Sequence, residues 1–110
     1  MASTETNVRV VLTMVADAEI GATIARKLVD DRLAACVNVL PGAHSFYRWE
    51  GRVQEDAEVL MIIKTSTDRC DELAERINDL HPYDVPEVLV LPADGGSTPY
   101  LTWVESETRP

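Results

Sequence analysis

Glu58-Val59-Leu60-Met61-Ile62-Ile63-Lys64-Thr65 decides the fold. Its five apolar residues are too few for an independent helix, and the mixture with two isoleucines and a valine reads as a buried strand. Upstream, Glu50-Gly51 is a hairpin turn in which glycine supplies a positive φ. The arm before it runs as an extended segment from His44 to Trp49 and, beyond a break at Pro41-Gly42, as Ala34-Ala35-Cys36-Val37-Asn38-Val39-Leu40. Further back, Ile20, Ile24 and Leu28 recur at helical spacing behind the candidate cap Asp17, so a helix is expected from about Ala18 to Arg32. Gly21 and Ala25 beside that stripe allow a close approach to whatever it covers. Val8 to Val15 is the first strand, rich in β-branched residues.

Downstream of the deciding run, Ser66, Thr67 and Asp68 offer caps for a second helix. Its seam is Cys70, Leu73, Ile77 and Leu80, and His81-Pro82 stops it. Pro86 to Pro92 brackets a fourth strand, and Gly95-Gly96 turns the chain. A last short helix follows, with Thr98 as cap and Pro99 at its first position. The order β-α-β-β-α-β plus a C-terminal helix is α+β, a ferredoxin-like split βαβ sandwich. Residues 8–108 form one domain behind a disordered N-terminus of residues 1–7. The third and fourth strands are apolar on both faces, although two helices cover only one, so the fold is expected to be an oligomer rather than a monomer.

Composition narrows the function. The 110 residues carry 10 basic and 19 acidic side chains, a net charge of −9. Nucleic-acid binding requires basic side chains against phosphates, so neither nucleic acid nor an anionic membrane surface is an expected partner. No apolar run approaches a membrane span of about 18 residues, and Met1 to Asn7 lacks the basic and apolar regions of a signal peptide. A cytoplasmic location is expected. Two cysteines, Cys36 and Cys70, make no disulfide framework, and both are read as small core residues.

Enzymatic machinery is missing from the sequence. Neither histidine, His44 or His81, belongs to a recognisable nucleophile–base motif, and there is no nucleophile elbow, P-loop, dinucleotide fingerprint or zinc motif. No catalytic activity is expected. The densest chemistry is His81-Pro82-Tyr83-Asp84-Val85-Pro86-Glu87: an imidazole, a phenol and two carboxylates in a seven-residue segment stiffened by two prolines. Mixed nitrogen and oxygen donors suit copper or zinc, while a helix stop whose polar groups satisfy the backbone explains the same residues. Ser45-Phe46-Tyr47-Arg48-Trp49 gathers aromatics near the hairpin tip, as an interface cluster or a ligand-stacking platform.

Five segments in register carry a resemblance: Leu33-Ala34-Ala35-Cys36-Val37-Asn38, Ser45 to Gly51, Ile63-Lys64-Thr65, His81 to Glu87, and Tyr100-Leu101-Thr102-Trp103. Together they resemble the CutA divalent-cation tolerance family from about Val8 to Val104. The resemblance implies a homotrimer of ferredoxin-like subunits, a role in the response to copper and other divalent cations, and no enzymatic activity. It further implies a trimer similar to that of PII signalling proteins, hence the alternative of a sensor or scaffold taking a small organic ligand or a protein partner at clefts between subunits. Of the copper-ligand set discussed for bacterial members, His81 alone is matched. Thr13 stands at the cysteine position, Leu80 at that of a second histidine, and Asp84 replaces the usual glutamate.

The functional cleft is therefore expected where the His81–Glu87 loop meets the aromatic hairpin. His81 is the candidate metal ligand, and Tyr47, Trp49, Tyr83 and Glu87 are candidate lining residues. Glu58 and Lys64 join them because their even spacing puts both on one face of the third strand. Copper or another divalent cation is the expected ligand, with no tightly bound cofactor.

Overall fold

The computed structural model describes residues 6–110. Four strands, β1 (Val8–Val15), β2 (Cys36–Trp49), β3 (Arg52–Ser66) and β4 (Leu89–Pro92), alternate with α1 (Ala18–Asp30), α2 (Cys70–Leu80) and α3 (Thr98–Glu107). All three strand pairings are antiparallel and the sheet order is β2-β3-β1-β4. This is the expected split βαβ arrangement. The expected disorder of residues 1–7 falls for 1–5 outside the described residues. Thr6 is tied down, its hydroxyl donating to the Ala93 carbonyl at 2.8 Å, and the Asn7 carbonyl accepts from Thr67 N–H at 2.8 Å.

The helices form where the apolar stripes lie. Asp17 caps α1 by accepting from Ile20 N–H at 2.8 Å, and Gly21, Ile24 and Leu28 face the sheet. A Cβ on Gly21 would come within 3.2 Å of Val15 and 3.1 Å of Val39, so the close approach read from the sequence is used. The helix stops two residues short of expectation, because Arg32 turns left-handed (φ 59°) while Leu33 and Ala34 both donate to the Leu28 carbonyl. A 3₁₀ turn, Thr67–Arg69, leads into α2, so none of the expected caps Ser66, Thr67 and Asp68 caps it by a side chain. Leu73 and Ile77 are fully buried, whereas Cys70 and Leu80 at the ends of the seam are half-buried. In α3 the cap is Ser97 rather than Thr98, which places Pro99 second instead of first.

The register sorts the two faces. Val11 and Val15 of β1 with Val59, Met61 and Ile63 of β3 form one core with Leu28, Leu73 and Ile77 of the helices. The opposite face carries Val8, Val10, Leu12 and Met14, paired with Ser66, Lys64, Ile62 and Leu60. Only its Val8 end is roofed, by Val104 of α3 with Ala35, and there the Ser66 and Thr108 hydroxyls bond at 2.8 Å. Leu40, Leu89 and Leu91 on the rest of this face are exposed, while Leu12, Leu60 and Ile62 are half-exposed. The doubly apolar strands thus leave an open sheet face.

Pro41-Gly42 does not break the strand as expected. It forms a bulge between Leu40 and Ala43, and pairing with β3 resumes to Trp49. β2 is an edge strand, where a proline withholds no bond from a neighbour, and Gly42 takes φ 96°. The two-residue turn Glu50-Gly51, with φ 51° and 77°, closes the hairpin. Its length carries the hairpin beyond the body, and the radius of gyration is 14.8 Å against about 13 Å for a compact domain near this size. Among the described residues no helix is long and apolar enough to cross a membrane.

Thr13 lies in the helix-covered core, fully buried, with a hydroxyl that finds no partner among the described residues. A buried unpaired polar group costs about 1–3 kcal/mol. Thr13→Val keeps the shape and removes the hydroxyl, so it should raise the thermal midpoint of unfolding; a fall would show that the hydroxyl is satisfied.

Candidate functional site

Proline decides where the loop begins. Pro82 holds His81 in extended geometry (φ −82°, ψ 133°) and ends α2 there, and pairing in β4 starts only at Leu89, later than the expected Pro86. The intervening loop faces the base of the β2–β3 hairpin across a cleft of about 880 Å³. Met14, Phe46, Tyr47, Trp49 and Tyr83 supply much of its wall, together with the carboxylates of Asp56, Glu58, Asp84 and Glu87. No lysine or arginine lines it among the described residues. The cleft is acidic, with aromatic walls.

Two phenol–carboxylate pairs organise it. Asp56 and Glu58 are two residues apart on β3, hence on one face and about 7 Å apart along the strand. The Tyr47 hydroxyl donates to Asp56, and the Tyr83 hydroxyl donates to Glu58 at 2.8 Å. Glu58 is only 9 % exposed, and no lysine or arginine pairs with it among the described residues. Burial first, then the bond to Glu58, pushes the Tyr83 phenol up to about 12; the bond to Asp56 first, then burial, raises Tyr47. Each favours the protonated phenol in the folded chain. The stability these bonds contribute is therefore complete below the ordinary phenol value of about 10, and for Tyr83 it is lost as pH rises through about 12. Burial also raises Tyr100, so all three tyrosines should ionise later in the folded protein than in denaturant. Ultraviolet titration of phenolate measures this, and coincident curves would contradict the two pairings.

His81 is buried and holds the loop from behind. Its Nε2 donates to the Met14 carbonyl at 2.6 Å, and its Nδ1 accepts from Tyr83 N–H at 3.2 Å. A carbonyl only accepts and an amide N–H only donates, so the ring is the neutral Nε2–H tautomer with both nitrogens engaged. The ring also packs 4.5 Å from that of Tyr83. In this arrangement His81 positions Tyr83, which in turn holds Glu58. Among the described residues no three His, Cys, Asp or Glu side chains are grouped to hold a metal ion.

Of the other expected lining residues, Tyr47, Trp49, Glu58, Tyr83 and Glu87 do converge on the cleft. Lys64 does not. It shares a face with Glu58, but six residues of strand separate them by about 20 Å. Lys64 instead donates to Asn38 and lies 3.9 Å from the Cys36 sulfur. Cys36 is accordingly half-exposed on the open face and not a core residue, because it pairs with Lys64 in the register. Cys70 is half-buried, its thiol pushed up by burial. Asp56 was missed in the sequence, although its spacing of two from Glu58 was a usable signal.

The family model for CutA1 divalent ion tolerance protein matches residues 9–107. A divalent-cation tolerance protein CutA of Thermus thermophilus is 50% identical over 99 residues, covering 90% of this chain and 96% of the relative. The chloroplastic protein CutA of Arabidopsis thaliana is 49% identical over 100 residues, covering 91% of this chain but 55% of the plant protein. The solved structure of a divalent cation tolerance protein from Thermus thermophilus superposes with a TM-score of 0.91 at 48% identity, over 93% of this chain and 99% of that one. The periplasmic divalent cation tolerance protein CutA of Archaeoglobus fulgidus superposes with a TM-score of 0.90 at 28% identity, over 93% and 99%.

Proposed function

The chain belongs to the CutA1 divalent ion tolerance protein family, and we propose that it is a homotrimeric, non-catalytic divalent-cation tolerance protein whose acidic cleft takes up copper or a similar ion. The observation that carries this reading is a cleft with four carboxylates and no basic side chain. Such a wall raises the local concentration of cations, and its oxygen donors suit divalent ions. One subunit groups too few ligands for a closed site, so the ion draws further donors from the neighbouring subunit. Binding is then weaker than at a thiolate site. The open apolar face supports assembly, since monomers rarely expose such a patch.

Calorimetric titration of the assembled protein with copper tests the site. The double variant Asp56→Asn and Glu58→Gln removes two charges while keeping groups that can bond the tyrosines. Its copper affinity should fall tenfold or more, about 1.4 kcal/mol. Unchanged affinity in an intact assembly would overturn the assignment. A second reading, a PII-like sensor for a small organic ligand, is favoured by one observation: about 880 Å³ lies in the range of small-molecule sites.

A further inference from the structure

We propose that the cleft takes an organic ammonium ion, a protonated amine on a hydrocarbon body, with its charge beside Asp56 and Glu58 and its hydrocarbon against Trp49. The proposal rests on the acidic cleft described above and names a ligand class for it.

The first observation is the state of Glu58. The side chain is 9 % exposed, and its one described hydrogen bond comes from a neutral phenol through Oε2. Oε1 has no described partner, and among the described residues no lysine or arginine pairs with it. Oε1 is left open to the cleft, where a bound cation can meet it. The second observation is the wall. Indole and phenol faces attract cations, and Trp49, Tyr47 and Tyr83 all line the cleft. A metal ion makes no use of these rings, and no three grouped ligands await one among the described residues. An alkyl or arylalkyl ammonium uses both features.

The lining also sets what is refused. With no lysine or arginine among the described lining residues, a phosphate, a nucleotide or a carboxylic acid finds no counter-charge. An amino acid carries the right ammonium but brings a carboxylate that nothing pairs, next to four others. The site therefore selects amines that lack an acid group.

Three probes of one shape test this by calorimetry on the assembled protein: phenethylamine, phenylalanine and 3-phenylpropionate. Phenethylamine should bind, and the other two should not. Trp49→Ala should weaken phenethylamine about fivefold or more while leaving copper affinity within twofold. Glu58→Gln should weaken both. Absence of phenethylamine binding, equal binding of phenylalanine, or indifference to Trp49→Ala would overturn the proposal. Copper binding without amine binding would leave the divalent-cation reading standing alone. Amine binding without copper binding would support this proposal and sink that reading.

Discussion

Leu28→Ala should destabilise the fold by about 2–5 kcal/mol, the cost of emptying a fully enclosed aliphatic site. Leu28 has no exposed surface and sits in α1 against the sheet-side core. Relaxation into the void is restricted on the chain's downstream side, because the Leu28 carbonyl anchors both Leu33 and Ala34. The left-handed Arg32 lies within the turn these bonds close. Guanidinium unfolding of parent and variant at one protein concentration measures the loss. Fixed concentration matters, because the stability of an assembly depends on it. A loss below about 1 kcal/mol would mean the core collapses around the gap.

Ile62→Glu should abolish assembly while leaving the subunit folded. Ile62 lies in the middle of the open face, paired with Leu12 and Asn38, and is half-exposed in the single chain. A carboxylate there stays hydrated in a free subunit. Against another subunit it would be desolvated without a partner, a cost that commonly exceeds what a small contact supplies. If the proposed trimer forms, light scattering after gel filtration should show the mass fall from three subunits to one, with far-ultraviolet dichroism retained. An unchanged mass would place the assembly interface elsewhere.

The order of elements was legible because the helical stripes matched one period, the strand runs were short and rich in β-branched residues, and most were bounded by Gly, Pro or a cap. The cleft was legible too, since a proline-stopped helix and a long hairpin both project from the sheet. Other features were decided by contacts that no local pattern carries. Pro41-Gly42 reads as a break unless it is known that β2 is an edge strand, where a bulge is cheap. The parity that put Lys64 with Glu58 was right about the face and silent about distance along it. Cys36 looks like a core residue among apolar neighbours, yet the register assigns it to the face without the two main helices. For His81 the sequence leaves metal donor and helix-stop group equally open, because its two partners, the Met14 carbonyl and the Tyr83 amide, are backbone groups that the sequence does not display. Ser97 and Thr98 are equivalent as caps by composition, and the backbone geometry chose the first.

Native mass spectrometry of the protein with a graded excess of copper reads assembly and cation uptake together. The proposed function requires a three-subunit mass that gains copper in discrete, saturating steps, with those steps lost in the Asp56→Asn, Glu58→Gln variant. A monomer, or a three-subunit species whose copper adducts are non-saturating and identical in that variant, would contradict it.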